Sequence, residues 1–231
     1  MDGYRIVTLE GGRDAFCTGL DPHDAANPAP GAKPARELVT LFAKLLEAIE
    51  RAPFPVIALV DGAAAGGGVG LAAAADLVVA TPRAAFSLPE TLLGLVPIAI
   101  FPALARRIGV PRARWLALGA AALSAEEAHR LGLVDEIAGD LEAATERYSR
   151  RLERMDRRAV AELKQLVWER YGTPEAHATE AAARIAGLLD SPETRNRLMR
   201  FARGEAPWED GPDRGARSGT GFHSSQEDVD A

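Results

Sequence analysis

The chain has little that would suit it to nucleic acid, to disulfide stapling or to a membrane. Basic residues are the minority: 27 Lys and Arg face 33 Asp and Glu, for a formal net charge of -6. A nucleic-acid-binding surface usually shows a basic face, so the balance argues against that class. Cysteine occurs once, at Cys17. No internal disulfide can form, and a reducing cytoplasm is the expected compartment. The four histidines show no ligand spacing such as H-x-x-x-H, which implies no metal site. No apolar run approaches the ~18 residues of a membrane span. The longest apolar region, Val56 to Ala80, is broken by Asp61, Asp76 and several glycines. The opening MDGYRIVTLEGG has neither a basic n-region nor an apolar h-region, so no signal peptide is expected.

What is present suits one α/β domain with an appendage: 231 residues, 47% of them hydrophobic, are ample for a packed core. Tyr4 to Gly11 reads as a strand, and Asp14 to Asp21 as a short strand end with a glycine loop. Pro22 to Pro34, rich in Pro, Ala and Gly, reads as a surface loop. Ala35 to Arg51 places Leu38, Leu41, Phe42, Leu45, Leu46 and Ile49 at helical spacing, predicting one buried face. PFPVIALVDG is nearly all apolar, as buried parallel strands are. A helix from Gly66 to Ala75 follows, then LVVA, a turn at Thr81 to Arg83, and a second short strand. From Ile98 the pattern is helical: Ile98–Ile108, Arg112–Leu118, Ala125–Leu131, Leu141–Met155, Arg158–Tyr171, Pro174–Leu189 and Pro192–Ala202. Ser124 with Glu127 spells a capping box. Ser191 lacks such a partner, and Pro192 takes the first helical position instead. The tail from Gly204 is rich in Gly, Ser and Asp and is expected to be disordered.

The segment VIALVDGAAAGGGVGLAAAAD, Val56 to Asp76, carries most of the chemistry. Three consecutive glycines stand at the mouth of a helix. A Walker loop is excluded, because no Lys-Ser or Lys-Thr follows. A dinucleotide loop fits poorly: Gly68 and Gly70 give G-x-G, but Ala73 holds the last position and LVVAT ends without an acid. Two readings stay open. The glycines let a helix pack closely on a sheet, or they let backbone N–H groups converge on an oxygen bearing negative charge, helped by the helix dipole.

Four segments together resemble the enoyl-CoA hydratase/isomerase (crotonase) superfamily. FCTGLD at Phe16–Asp21 looks like its F-C-A-G-A-D segment. The Val56–Asp76 stretch looks like its glycine-rich signature. FSLPETLLGLVP and LSAEEAHRLGLVDEI match its later segments in order and spacing. The resemblance spans Tyr4 to Trp208. It implies an α/β fold, a crotonase-like superhelix of ββα units with a helical C-terminal region. Residues 1–140 would form the core, without the family's N-terminal hairpin. Residues 141–203 would form a helical oligomerisation region, and 204–231 a disordered tail. It further implies a homotrimer or hexamer, and an acyl thioester substrate on coenzyme A or an acyl carrier protein. Coenzyme A or phosphopantetheine would be part of the substrate, with no other cofactor, no metal, no nucleic acid and no membrane.

Carried over by position, the resemblance makes the backbone N–H groups of Leu20 and Gly67 an oxyanion hole, and Glu90 the catalytic carboxylate. Thr18, Gly19, Asp21, Gly66 and Gly68 would line the substrate. Hydratases of this family use a second glutamate where this chain has Gly70. A lone acid suits a dehydratase or an isomerase, since one carboxyl can take up a proton and deliver it again. Two finer resemblances follow: to polyketide-pathway dehydratases that act on a 3-hydroxy-3-methylglutaryl group, and to Δ3–Δ2 enoyl-CoA isomerases with a single glutamate. A non-catalytic accessory subunit is the alternative from another class. Glu90 in its apolar run should have a raised pKa; the competing reading makes Pro89-Glu90 the start of a helix. His23, Asp24, His129 and His177 read as surface or structural residues, Cys17 as a small core residue, and Asp76 as a cap on backbone N–H groups. The Arg-rich run Glu146 to Arg158 reads as a solvated helix face, or as a dock for an acidic carrier protein.

Overall fold

The computed structural model describes residues 6–29, 32–174 and 176–208. Strands β1 (Val7–Glu10) and β2 (Ala15–Cys17) lead into α1 (Pro22–Ala26) and α2 (Ala35–Arg51). β3 (Val56–Val60) and β4 (Ala63–Ala65) lead into α3 (Gly67–Ala74). β5 (Leu77–Ala80) and β6 (Ala85–Ser87) precede α4 (Phe101–Ile108) and α5 (Val110–Gly119). Then come β7 (Leu123–Ser124), α6 (Ala125–Leu131), β8 (Glu136–Ile137), α7 (Leu141–Leu152), α8 (Arg157–Tyr171), α9 (His177–Leu189) and α10 (Pro192–Ala202).

The first strand of each of three successive units joins one sheet and the second joins another. The sheet β1-β3-β5-β8 is parallel throughout, and β2-β4-β6 is parallel, with β7 added antiparallel. This is a stepped ββα superhelix, as the family resemblance implies. β3 is buried at all five positions, which explains its unbroken apolar sequence. Helix α3 is apolar around its whole circumference, and most of it is buried, as such a helix must be.

Several local expectations change. Pro22–Ala26 is a helical turn and not part of a loop. The Asp21 carboxylate accepts the N–H groups of His23 at 2.7 Å and Asp24 at 3.3 Å, and Pro22 stands at the first turn. That is ordinary N-cap chemistry compressed into five residues. β4, with the sequence AAA, carries no strand signal of its own and is set by pairing with β2 and β6. On α2, Leu46 and Ile49 are buried, but Leu38, Leu41 and Leu45 are 40–47% exposed. The apolar stripe is therefore wider than the surface this chain offers it. Pro89-Glu90 opens a tight turn, with Leu92 N–H donating to the Pro89 carbonyl at 3.0 Å, and not a helix. The capping box at Ser124 and Glu127 is formed, and Ser191 makes no side-chain cap. His177 is half-buried, and its Nε2 lies 2.9 Å from the Ile98 carbonyl. His129 Nδ1 lies 2.9 Å from the Val134 carbonyl. The predicted strand start at Tyr4 and most of the tail, from residue 209 on, fall outside the described residues.

Asp76 does accept a backbone N–H, that of Val56 at 2.8 Å, at the start of β3. It also pairs with Lys164 of α8, whose ammonium is buried and donates to the carbonyls of Ile49 and Phe54 at 3.2 Å each. One lysine thus ties a C-terminal helix to α2 and to the central sheet. Asp76→Ala would strand that ammonium without its counter-ion. A loss of about 3 kcal/mol is expected in urea unfolding; a loss under about 1 kcal/mol would show that the two carbonyls suffice.

Candidate active site

Because β2, β4 and β6 are neighbouring parallel strands, the loops that leave their C-terminal ends lie side by side. These loops are Thr18–Asp21, Gly66–Gly68 and Leu88–Glu90. The middle one touches both others. A Cβ placed on Gly19 would lie 3.0 Å from the Gly67 nitrogen and 3.1 Å from the Ala65 carbonyl oxygen. A Cβ on Gly66 would lie 3.0 Å from Glu90 Oε1. The loops that carry Leu20, Gly67 and Glu90, which the sequence places far apart, are thereby neighbours.

Gly66 adopts φ 52° and ψ -113°, a backbone state closed to other residues. Its own N–H donates to the Ser87 carbonyl at 2.9 Å. The kink lets α3 begin at Gly67. The first N–H groups of a helix have no acceptor within it, and the helix dipole adds partial positive charge there. Among the described residues, neither the Gly67 nor the Leu20 N–H makes a hydrogen bond. The Phe42 ring of α2 closes one side, 3.2 Å from where a Gly67 Cβ would stand.

Glu90 is largely buried, and its Oε2 is enclosed with no hydrogen-bond partner. Burial pushes its carboxyl up to about 7, against a smaller downward pull from its own backbone. No charged side chain contributes to that shift. A carboxyl poised near neutrality both accepts and returns protons readily.

Four other predicted residues have clear surroundings. Thr18 and Gly19 are exposed at the rim. The Asp21 carboxylate is engaged in capping α1. Gly68 is buried against the Cys17 carbonyl, which a Cβ would overlap. Cys17 itself is half-buried in β2. Gly70, one turn into α3, is walled by Ile100: a Cβ would overlap the Ile100 Cγ2 and lie 2.9 Å from its Cβ. The sequence missed Ile100, because nothing in it couples residue 100 to residue 70. Among the described residues, no group of three His, Cys, Asp or Glu side chains is arranged to hold a metal.

A shallow cleft lies elsewhere, between α2, α4 and the start of α9. Its charges are mutually satisfied. Arg106 forks onto Glu50, with Nε–Oε1 at 3.1 Å and Nη2–Oε2 at 2.6 Å, and donates to Thr173 Oγ1 at 2.9 Å. Trp168 lies under both Arg51 and Arg106. Burial raises Glu50 despite Arg106. This is a helix junction.

Stepped ββα units here bring a glycine-led helix N-terminus beside a buried acid. The chain belongs to the enoyl-CoA hydratase/isomerase family, whose sequence profile matches residues 2–210. It is 30% identical over 208 residues to the bacillaene synthase dehydratase PksH of Bacillus subtilis, covering 89% of this chain and 80% of that protein. It is 32% identical over 174 residues to the trans-2-decenoyl-[acyl-carrier-protein] isomerase of Streptococcus mutans, covering 73% and 66%. The crystal structure of an enoyl-CoA hydratase from Mycobacterium avium superposes with a TM-score of 0.75 at 30% identity, covering 88% of this chain and 78% of that one. The fold is the crotonase fold, and the protein is an enzyme of this family. No helix among the described residues is long and apolar enough to cross a membrane.

Proposed function

We propose that this enzyme is a single-carboxylate dehydratase, reversible as a hydratase, acting on a β-hydroxyacyl thioester of coenzyme A or an acyl carrier protein. The observation that carries the proposal is Glu90: one buried carboxyl with a free Oε2, beside the mouth of α3, where the Gly70 position is filled by Ile100. The Glu90 carboxylate takes the proton from C2, and the electron pair moves onto the thioester oxygen. The N–H groups of Leu20 and Gly67 hold that oxygen as an enolate. When the enolate collapses, the C2–C3 double bond forms and the C3–O bond breaks. The protonated Glu90 delivers its proton to the departing hydroxyl, which leaves as water.

The similarity to PksH favours a polyketide or other secondary-metabolic substrate. Isomerisation of a 3-enoyl to a 2-enoyl thioester is the second reading. It is favoured by the same lone acid, which can take a proton from C2 and return it at C4, and by the similarity to the Streptococcus isomerase. Thr18, Gly19 and Gly66 line the approach in both cases. A homotrimer or pair of trimers would cover exposed apolar residues such as Trp115, Leu118, Leu163 and Leu166. The substrate brings its own coenzyme A or phosphopantetheine, and no further cofactor enters.

The purified protein is to be incubated with 3-hydroxyacyl, 2-enoyl and 3-enoyl thioesters, each on both carriers, and products read by mass spectrometry. Interconversion of the 3-hydroxyacyl and 2-enoyl species is expected. Turnover of the 3-enoyl thioester alone would move the assignment to the isomerase, and no turnover of any would reject both.

A further inference from the structure

The turn that carries Glu90 is held from two sides by residues outside the site. On one side Thr91 Oγ1 donates to the Ala117 carbonyl of α5 at 2.8 Å. On the other, helix α10 lies against it. Arg197 Nη1 donates to the Leu92 carbonyl at 3.2 Å. The buried Thr194 sits where a Cβ on Gly94 would meet its Oγ1 at 2.8 Å. Gly94 has φ 77°, so this close approach and the left-handed backbone both call for glycine. The turn closes on itself through the Glu90 carbonyl, which accepts Leu93 N–H at 3.0 Å and Leu95 N–H at 2.8 Å.

The same helix reaches the other half of the site. Leu198 of α10 shares a buried cluster with Leu93 and Leu95 of the turn, with Ala26 of α1, and with Ile185 and Leu189 of α9. α1 directly follows the Leu20 loop. Asn27, just past α1, donates to the Met199 sulfur. One C-terminal helix therefore braces the loop that bears the acid and the loop that bears the Leu20 N–H.

We propose that Arg197 is a positioning residue: by gripping the Leu92 carbonyl it keeps the Glu90 turn seated on α10, and so keeps the Glu90 carboxyl enclosed beside Gly66. Its significance for turnover rests on the proton-transfer role given to Glu90 above. The physical effect on Glu90 stands apart from that role. Releasing the turn lets water reach a carboxyl whose state is set mainly by burial, so its protonation midpoint falls. A direct charge effect would have the opposite sign, because removing a nearby cation raises a carboxyl. Arg197 is itself paired with Glu193 at 3.0 Å.

The test is carboxyl 13C NMR of the full chain labelled at glutamate, with the Glu90 signal assigned by its loss in Glu90→Gln. Wild type should titrate at about 7. Arg197→Met should move the midpoint down by about one pH unit and lower kcat more than it raises KM. Arg197→Lys, which still has a donor for the Leu92 carbonyl, should recover most of both. An unchanged or raised midpoint in a folded Arg197→Met overturns the proposal, even if its melting temperature has dropped. Should that variant not fold, Thr194→Val is read in the same way. Full turnover in Glu90→Gln would remove the proton-transfer reading, while the titration would still decide what Arg197 does.

Discussion

Glu90→Gln is expected to lower turnover of the thioester substrate by about 10²- to 10⁴-fold, the usual contribution of a positioned acid-base group, with little change in KM. The amide has nearly the shape of the acid but cannot take the C2 proton. In a site with a second carboxyl near at hand, part of that loss could be recovered. Here Ile100 fills the space beside Gly70, and no charged side chain contributes to the shift at Glu90. A residual rate above about a tenth of wild type would show that another group moves the proton.

The same substitution has a stability signature of definite sign. Burial pushes the folded-state carboxyl up to about 7, against an ordinary value of 4.5. Between those values the folded chain binds more protons than the unfolded one, so stability falls as pH rises through that window. The charged form is buried without a partner, and nothing offsets its desolvation. Glu90→Gln escapes this loss. Its stability relative to wild type should improve by on the order of 2–3 kcal/mol between pH 4 and pH 8, read from urea midpoints at each pH. A constant difference across that range would mean that Glu90 is solvated. An inactive variant that gains stability above neutral pH is the mark of a residue kept for chemistry and not for folding.

Much of this was legible in the residues, and the exceptions share one physical cause. Long amphipathic helices such as α2 and α10 are written in their own periodicity, and both begin and end where the pattern predicts. Glu90's raised carboxyl was readable because its apolar surroundings, FSLPETLLGLVP, are local in sequence. Short elements were hidden. β4 is three alanines, and α1 needs only Asp21 and Pro22 to start it. Contacts between distant segments were hidden as well: Lys164 on Asp76, Ile100 on Gly70, Arg197 on the Leu92 carbonyl. No local pattern encodes these, because each depends on how ββα units and C-terminal helices stack. The exposed Leu38, Leu41 and Leu45 show the converse. An apolar period says which face is sticky, and only packing says what it meets.

The glycines of α3 give the second large effect. In a helix interior, glycine to alanine ordinarily stabilises by about 0.5–1 kcal/mol, so a loss at these positions reports a clash. Gly68→Ala drives a methyl into the Cys17 carbonyl, which is backbone of β2 and cannot step aside. Relief would require α3 to lift off the strand that leads into the Leu20 loop. A loss of about 3 kcal/mol or more is expected, together with loss of activity, since the Gly67 and Leu20 N–H groups proposed to hold the enolate oxygen would be moved apart. Gly70→Ala meets the Ile100 side chain instead. It should cost about 1–3 kcal/mol but be correctable. In a double-mutant cycle Gly70→Ala and Ile100→Ala should couple favourably by about 1 kcal/mol or more, because the smaller side chain clears the space the new methyl needs. No such partner exists for Gly68, whose neighbour is main chain. Equal, uncoupled losses at the two positions would mean that Ile100 does not fill the Gly70 position, and the case for a single acid would lose its structural ground.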